Sequence, residues 1–235
     1  MEYSSVSIAG KRQHNEDSCL ASQIQDGLLM AVADGIGGHA AGDVASRVAI
    51  ETLRSEFAGN YRIGMSAVEI GKLLRNSFAM ADENVSGMAV GDRAGMGTTL
   101  VAAFVRAQEI FIGNTGDSRA YLFNGRLRQI TVDHSLVQEL VDKGAIDPDK
   151  RRTHPMKNVI TRSIGGDFSV DLYHLEIKEG DIVLLSSDGL HDYIGDDVIS
   201  KELKLAGTAN GTARLLVKTA IPFSEDNISV VILKR

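Results

Sequence analysis

The fold is decided by three stretches: Leu28-Leu29-Met30-Ala31-Val32-Ala33-Asp34-Gly35, Ile182-Val183-Leu184-Leu185-Ser186-Ser187-Asp188-Gly189 and Asp226-Asn227-Ile228-Ser229-Val230-Val231-Ile232-Leu233. Each is a short apolar run, rich in branched residues and bounded by Gly or Asp, which is typical of a buried strand. If the three strands are neighbours, their aspartates converge at one edge of the core. Clustered acids repel one another and need cations, and oxygen ligands favour magnesium or manganese. The pattern therefore predicts a divalent-metal site, although any one Asp-Gly pair is also common turn chemistry.

The composition favours a single domain over residues 1–235. With 43% hydrophobic residues and no linker-like segment, the chain can bury one sizeable core. A net charge of -6 without a clustered basic face argues against nucleic acid and anionic membranes as partners. One cysteine, Cys19, excludes an internal disulfide, and neither a secretion signal nor an apolar run of the roughly 18 residues that a membrane helix needs is visible. We expect a cytoplasmic monomer.

The hydrophobic period changes along the chain from helical to strand-like and back. Asn124-Gly125 predicts a two-residue hairpin turn, and the polar segment 144–157 is expected to be a loop. The period predicts helices at 44–57, 70–85, 135–143, 197–205 and 212–220, and strands at 6–9, 27–33, 99–105, 109–113, 119–123, 126–130, 170–177, 182–187 and 228–233. This order predicts an α+β fold, a β-sandwich of two mainly antiparallel sheets flanked by helices in α-β-β-α layers.

Several kinds of catalysis lose their support in this sequence. The chain has neither G-x-S-x-G nor G-x-x-x-x-G-K-[ST], which argues against serine acyl transfer and P-loop nucleotide chemistry. Cys19 is not followed by an arginine, so a thiol phosphatase loop is absent, and the six histidines lack zinc spacing. The remaining candidates for catalytic groups are the acids, an arginine near them and the glycine turns.

Six short motifs together resemble the metal-dependent protein phosphatase family, of the protein phosphatase 2C type. They occur in that family's order: Gly10-Lys11-Arg12-Gln13-His14-Asn15-Glu16-Asp17, Val32-Ala33-Asp34-Gly35-Ile36-Gly37-Gly38-His39, Gly97-Thr98-Thr99, Gly113-Asn114-Thr115-Gly116-Asp117-Ser118-Arg119, Ser186-Ser187-Asp188-Gly189-Leu190 and Glu225-Asp226-Asn227. The resemblance runs from Tyr3 to the last strand and is closest to bacterial stand-alone catalytic domains. It implies a β-sandwich flanked by helices.

The resemblance also implies the members of a two-metal site. Asp34 is expected to bridge two manganese or magnesium ions, with the Gly35 carbonyl on one ion and Asp188 and Asp226 on the other. Two further acids, Glu16 and Asp17, are expected to hydrogen-bond the metal-bound waters. An exposed acidic loop is the alternative for these two residues.

Three further residues carry separate expectations. Arg12 is the candidate phosphate clamp, because a guanidinium matches two phosphoryl oxygens, and a plain surface arginine is the alternative. Animal members carry a histidine as general acid directly after the first Asp-Gly, where this chain has Ile36; His39 is the substitute candidate, unless it only caps a helix or faces solvent. Asp117 is the candidate ligand of a third, weaker ion, with a purely turn-holding role as the alternative.

The resemblance implies hydrolysis of phosphoserine and phosphothreonine by a metal-activated water. The expected partners are phosphorylated proteins, in particular a Ser/Thr kinase of eukaryotic type and its substrates. A catalytically inactive regulator of the same fold that binds phosphoproteins is the alternative. Stress-response phosphatases that act on anti-sigma-factor antagonists are a third possibility, although those relatives generally lack the elements at Arg12 and Asn15-Glu16-Asp17.

Overall fold

The strands and helices follow the predicted order, in a computed structural model that describes residues 1–37, 41–205 and 207–235. The strands are β1 (Glu2–Ile8), β2 (Asp17–Ile24), β3 (Gly27–Ile36), β4 (Gly97–Thr98), β5 (Leu100–Arg106), β6 (Glu109–Thr115), β7 (Arg119–Phe123), β8 (Leu127–Gln129), β9 (Asp171–Glu176), β10 (Ile182–Ser186) and β11 (Ile228–Lys234). The α-helices are α1 (Gly42–Asn60), α2 (Ala67–Met88), α3 (Leu136–Asp142), α4 (Asp188–His191), α5 (Asp196–Leu205) and α6 (Ala209–Ala220). Two 3₁₀ helices cover Gly91–Arg93 and Pro148–Thr153.

The strands form two sheets. One has the order β1-β11-β10-β7-β8, and the other has the order β2-β3-β5-β6-β9 with the short β4 paired to β3. Every strand pair within the described residues is antiparallel. The predicted class, two antiparallel sheets flanked by helices, is confirmed.

Three apolar layers hold these elements together. Alternation along β3 shows the arrangement: Leu29 and Ala31 pack towards α1 and α2, whereas Met30 and Val32 pack between the sheets. A third layer lies between the other sheet and α4, α5 and α6. Because the period of a strand is two, each central strand contributes to two layers at once. The resulting order of layers is α-β-β-α, as predicted.

Antiparallel pairing brings the ends of several strands to one edge of the sandwich. β3 and β10 finish there, with Asp34 and Asp188 at or just after their ends. β11 starts at the same edge, directly after Asp226, because it runs antiparallel to β10. Asp117 lies in the connection from β6 to β7, also at this edge. The fold therefore collects the predicted acids without any long excursion of the chain.

Four local predictions need correction. The hydrophobic period predicts no element at β2, because its small and polar residues are only partly buried at the edge of a sheet. The hairpin between β7 and β8 has three connecting residues rather than two, because Phe123 pairs with Leu127. The segment 144–157 is not wholly a loop, since a 3₁₀ helix occupies part of it. The short helix α4 was also missed, because four residues are too few to show a period.

Within 1–37, 41–205 and 207–235, no helix combines the length and the apolar composition that a membrane crossing requires.

The aromatic cluster under α1 gives a direct test of the layer between helices and sheet. The Phe104 ring is fully buried, with its centroid 4.6 Å from that of Phe57 and 4.7 Å from that of Tyr61. We expect Phe104→Ala to lower the free energy of unfolding by about 3–5 kcal/mol in urea denaturation. The exposed Val68→Ala on α2 is the control and should change it by less than about 0.5 kcal/mol. Similar small effects for both variants would contradict this packing.

Candidate metal and phosphate site

A cavity of about 500 Å³ opens at the edge where the acids converge. Six parts of the chain contribute to its wall: the loop after β1, the end of β3, the turn that carries Asp117, the segment with Asn158 and Ile160, the start of α4, and the residues just before β11. Its lining includes the acids Glu16, Asp34, Asp117, Asp188 and Asp226, together with Arg12, Gln13, His14, Gly35, Ile36, Gly37, Asn158, Ile160 and Asn227. The structure thus brings most of the predicted site residues into one cavity. Asp17 lies directly behind it.

Asp17 and Asp34 face each other across the β2–β3 pair. Like charges directly opposite in a sheet are destabilising, so this pairing needs a proton or a cation between the carboxylates. Asp17 is buried; its Oδ2 accepts a hydrogen bond from the Ser187 hydroxyl at 2.7 Å, while its Oδ1 has no partner. An unpartnered, buried carboxylate oxygen beside a second carboxylate is well suited to accept a hydrogen bond from a water bound to a cation.

Burial and mutual repulsion raise the pKa values of the cavity acids. The pKa of Asp34 lies well above its usual range, first because of burial and then because of Asp17 and Asp188. The pKa of Asp188 is raised in the same way, first by burial and then by Asp117 and Asp192. Burial also raises the pKa of Asp17 to about 6 and that of Asp117 to about 7. Each of these carboxyls therefore holds its proton more tightly than in water, mainly because burial disfavours the charged form.

The donor set fits divalent cations that keep part of their water shell. In the part of the chain that the structure describes, no salt bridge reaches Asp34, Asp117 or Asp188. In the same ranges, no three His, Cys, Asp or Glu side chains form a group that could hold an ion unaided. Carbonyl and water oxygens would therefore have to complete the ligand set, which is usual for magnesium.

The backbone of Asp34 is fixed by the Gly97-Thr98-Thr99 segment. The Asp34 carbonyl accepts hydrogen bonds from the Thr99 N–H at 2.9 Å and the Thr98 hydroxyl at 2.8 Å, and the Asp34 N–H donates to the Thr99 hydroxyl at 2.9 Å. A side chain at Gly35 would overlap the Gly42 carbonyl oxygen, so only glycine fits there. These contacts give the Gly97-Thr98-Thr99 motif a physical role. They hold the carboxylate and the adjacent carbonyl in place.

Asn227 fixes the loop that carries Arg12 and Glu16. Its amide group donates to the carbonyls of Ala9 and His14, both at 2.9 Å, and its carbonyl accepts from the Glu16 N–H at 2.8 Å. The loop between β1 and β2 is therefore tied to the start of β11, which follows it by more than 200 residues. Asn227 lies within one of the six motifs, but the sequence alone predicts no role for it.

Arg12 lies at the rim of the cavity and is already paired. Its Nη2 donates to Asp226 Oδ2 at 2.7 Å and its Nε donates to the Glu225 carbonyl at 3.0 Å. The carboxylate of Asp226 raises the pKa of the guanidinium. The side chain is 58% exposed, so the pair with Asp226 contributes little to stability. Arg12 stands where it can reach an anion, and it also binds one of the predicted metal ligands.

Asp192 is not part of the cavity lining, but its charge acts on two of the cavity acids, and the sequence patterns predict no role for it. Its charge contributes to the raised pKa values of both Asp117 and Asp188. Its Oδ2 accepts from Lys157 Nζ at 2.5 Å, and its carbonyl accepts from Arg152 Nη2 at 2.8 Å, so the segment 144–157 is bound to it by two basic residues. The spacing of four between Asp188 and Asp192 is the signal that could have identified it. His39, the candidate general acid, lies outside the described residues.

A cavity lined by converging carboxylates, with an arginine at its rim, defines a protein that uses divalent cations on an anionic substrate. The family model for protein phosphatase 2C matches residues 7–216. The serine/threonine phosphatase stp of Listeria monocytogenes is 37% identical over 231 residues, which are 95% of this chain and 91% of that protein. The chain therefore belongs to the protein phosphatase 2C family and is a metal-dependent protein phosphatase.

Solved structures agree with this assignment. The structure of Stp1 from Staphylococcus aureus has a TM-score of 0.93 and 34% identity, and the match covers 100% of this chain and 95% of that chain. The catalytic domain of PstP, solved with two manganese ions, has a TM-score of 0.82 and 34% identity, over 98% of this chain and 96% of that chain. The resemblance inferred from the six motifs is confirmed.

The acid cluster predicts how pH changes the stability of the metal-free protein. Asp117 has a pKa of about 7 in the fold, whereas an unfolded aspartate ionises near roughly 4. Between these values the folded state binds more protons, so its stability falls as pH rises. In chelator, Asp117→Asn should therefore match the wild type in melting temperature near pH 4.5 and exceed it at pH 8. A variant less stable than wild type at pH 8 would contradict the raised pKa.

Proposed function

We propose that this chain hydrolyses phosphoserine and phosphothreonine in proteins, with two manganese or magnesium ions held by the cavity acids. The observation that carries the proposal is the meeting of Asp34, Asp188 and Asp226 in one cavity, with Arg12 beside them. Relatives of this length are serine/threonine phosphatases, which supports the choice of substrate. Residues 1–235 would act as one catalytic domain.

The proposed ligands follow from the position of each group. Asp34 would bridge the two ions, with the Gly35 carbonyl on one side and Asp188 and Asp226 on the other, and Asp117 would reach a third, weaker ion. Bound ions would lower the pKa of a water to near 7 and offset the charge of the phosphoryl oxygens. The buried Asp17, with its unpartnered Oδ1, and Glu16 would accept hydrogen bonds from metal-bound waters and so orient them.

Arg12 would bind the phosphoryl group of the substrate. A guanidinium offers two parallel N–H donors to two oxygens of one phosphate, which fixes the orientation of the group as well as its position. The present partner of Arg12 is Asp226, so phosphate binding and ion binding at Asp226 would be coupled. If Asp226 held an ion, its carboxylate would no longer be available to Arg12, and the guanidinium would be free to bind the phosphoryl group of the substrate.

The proposed partners are phosphorylated proteins in the cytoplasm, including a Ser/Thr kinase of eukaryotic type and the proteins that it modifies. The Listeria monocytogenes relative carries the name serine/threonine phosphatase, which supports protein substrates. A monomeric state and the cytoplasmic location stay predictions from the sequence. His39 stays the candidate for the general acid.

Metal dependence is the first test of this function. Hydrolysis of a phosphothreonine peptide should be lost in EDTA and return with manganese or magnesium. Asp34→Asn, Asp188→Asn and Asp226→Asn should each lower kcat by at least about a hundredfold, since bound ions supply several kcal/mol and 1.36 kcal/mol is a factor of ten. The exposed Asp92→Asn is the matched control and should keep full activity. Full activity in chelator would contradict the proposal. Binding of the peptide without turnover, whichever metal is added, would also contradict it and would favour an inactive regulator.

Arg12 is tested by separating phosphate binding from metal activation. Arg12→Ala should weaken inhibition by inorganic phosphate and raise KM by roughly ten- to a hundredfold, because hydrogen bonds to charged groups contribute roughly 1.5–3 kcal/mol. Arg12→Lys keeps the charge but lacks the planar pair of N–H donors, so its KM should lie between those of the wild type and Arg12→Ala. Unchanged phosphate inhibition with a shifted manganese-activation curve would show that Arg12 serves Asp226 instead.

A further inference from the structure

His134 is a buried residue outside the cavity wall that binds both polar groups of a single residue, Gly116. Its backbone N–H donates to the Gly116 carbonyl at 3.0 Å. Its ring Nδ1 accepts from the Gly116 N–H at 3.1 Å. The side chain of His134 is only 5% exposed. Gly116 directly precedes Asp117, so His134 binds the backbone one residue away from a cavity carboxylate.

The hydrogen bonds of His134 allow only one form of its ring. A backbone N–H can only donate, so Nδ1 must carry the lone pair and the proton must lie on Nε2. Nε2 is 2.9 Å from Asp171 Oδ2, which accepts the hydrogen bond from Nε2–H. Arg162 Nη1 lies 3.2 Å from the same nitrogen, but a guanidinium can only donate, and its acceptor is Asp171 Oδ1 at 3.3 Å. Asp171 therefore selects the form of the ring that can hold Gly116.

The same residue also joins this turn to the segment that follows residues 144–157. The His134 carbonyl accepts from the Thr161 N–H at 2.9 Å, and its neighbour Ser135 forms a β-bridge with Ile160. Ile160 is part of the cavity wall. His134 thus connects two parts of the cavity that are more than 40 residues apart in sequence.

The turn that carries Asp117 needs such support. Gly116 has φ +103, and a Cβ at this position would lie 2.6 Å from Thr99 Cβ, so the backbone there is both unusual and tightly enclosed. Asp117 itself is buried; burial disfavours its charged form most, Asp133 and Asp192 add repulsion, and Arg119 attracts it. The net effect raises the pKa of Asp117, so the charged carboxylate is unfavourable where the fold puts it. A neighbour has to hold the backbone.

We propose that His134, oriented by Asp171, is a positioning residue that holds the Asp117 carboxylate in the cavity for cation binding. The inference rests on the proposed role of Asp117 as an ion ligand. His134 is not part of the cavity wall, and it acts on Asp117 through the peptide of Gly116. Its neutral Nδ1 lone pair is the feature that matters. Partners that orient the ligands of a metal site typically change metal affinity or activity 10- to 100-fold when removed.

The chain offers a graded set of variants. His134→Asn places an amide oxygen near the position of Nδ1 and keeps an acceptor for the Gly116 N–H, while it gives up Asp171. His134→Leu removes both side-chain contacts, those with the Gly116 N–H and with Asp171, and has a similar volume. Asp171→Ala leaves the ring but removes the acceptor that keeps the proton on Nε2, so that Arg162 Nη1 can donate to Nε2 and compete with the Gly116 N–H for the lone pair of the ring. The matched control is His174→Leu, which breaks another histidine–carboxylate pair, Nε2 to Glu109 Oε1 at 3.0 Å, from an exposed position on β9.

The first readout is the manganese-activation curve of phosphopeptide hydrolysis, with Asp117→Ala as the reference. We expect His134→Leu and Asp117→Ala each to raise the half-saturating manganese concentration by about tenfold or more, with KM for the peptide unchanged at saturating metal. His134→Asn should restore most of the wild-type curve, and His174→Leu should overlay it. If His134→Leu lowers the melting temperature but leaves the curve in place, or if His134→Asn is as impaired as His134→Leu, the inference is wrong.

The second readout needs no metal and no activity, and it covers a His134→Leu variant that fails to fold. In ¹⁵N NMR of the metal-free wild type, the His134 ring should be protonated at Nε2 and unprotonated at Nδ1, and Asp171→Ala should give a mixture of the two forms. A proton on Nδ1 in the wild type would overturn the inference. The failures are distinguishable: a wild type without metal-stimulated turnover refutes the proposed function, whereas a shifted curve for Asp117→Ala beside an unshifted one for His134→Leu refutes the positioning role.

Discussion

Repulsion among the carboxylates at one edge of the sandwich is the constraint on which the rest of the site depends. Asp17 faces Asp34 across a strand pair, and Asp192 lies close enough to add to the raised pKa values of Asp117 and Asp188. Such a group is unfavourable in the folded protein unless protons or cations compensate it. The same free energy that destabilises the metal-free protein favours the binding of cations, because bound cations remove the repulsion.

The surrounding structure holds these charges by fixing the backbone beside them. Thr98 and Thr99 bind the peptide groups of Asp34, and Asn227 ties the loop of Arg12 and Glu16 to the start of β11. His134 does the same for the turn before Asp117. None of these three supports relies on the carboxylates themselves. The apolar layers on both sides of each sheet supply the stability that permits this arrangement, since buried apolar area is the main favourable term in folding.

Much of the fold could be predicted from the sequence, because the central strands carry an unambiguous signal. β3, β10 and β11 are almost wholly apolar, and the helices α1 and α2 show a clear period. β2 was missed since its small polar residues are half-buried at an edge, and with it the pairing of Asp17 with Asp34 was lost. The three-residue hairpin was predicted too short because dipeptide chemistry alone does not fix the register. The family resemblance and the positions of the acids at strand ends predicted that the acids meet in one site. They could not give the pairing of Arg12 with Asp226 or the role of His134, which depend on contacts between distant segments.

The most direct test of the account is to locate manganese in crystals by anomalous scattering. The claim that the converging carboxylates are a cation site predicts two strong peaks in the cavity, roughly 3.5–4 Å apart, with Asp34 in contact with both. Asp188 and Asp226 should bind one of these ions. A weaker third peak should lie beside Asp117. Anomalous density elsewhere on the molecule, with none within bonding distance of Asp34, would contradict the account.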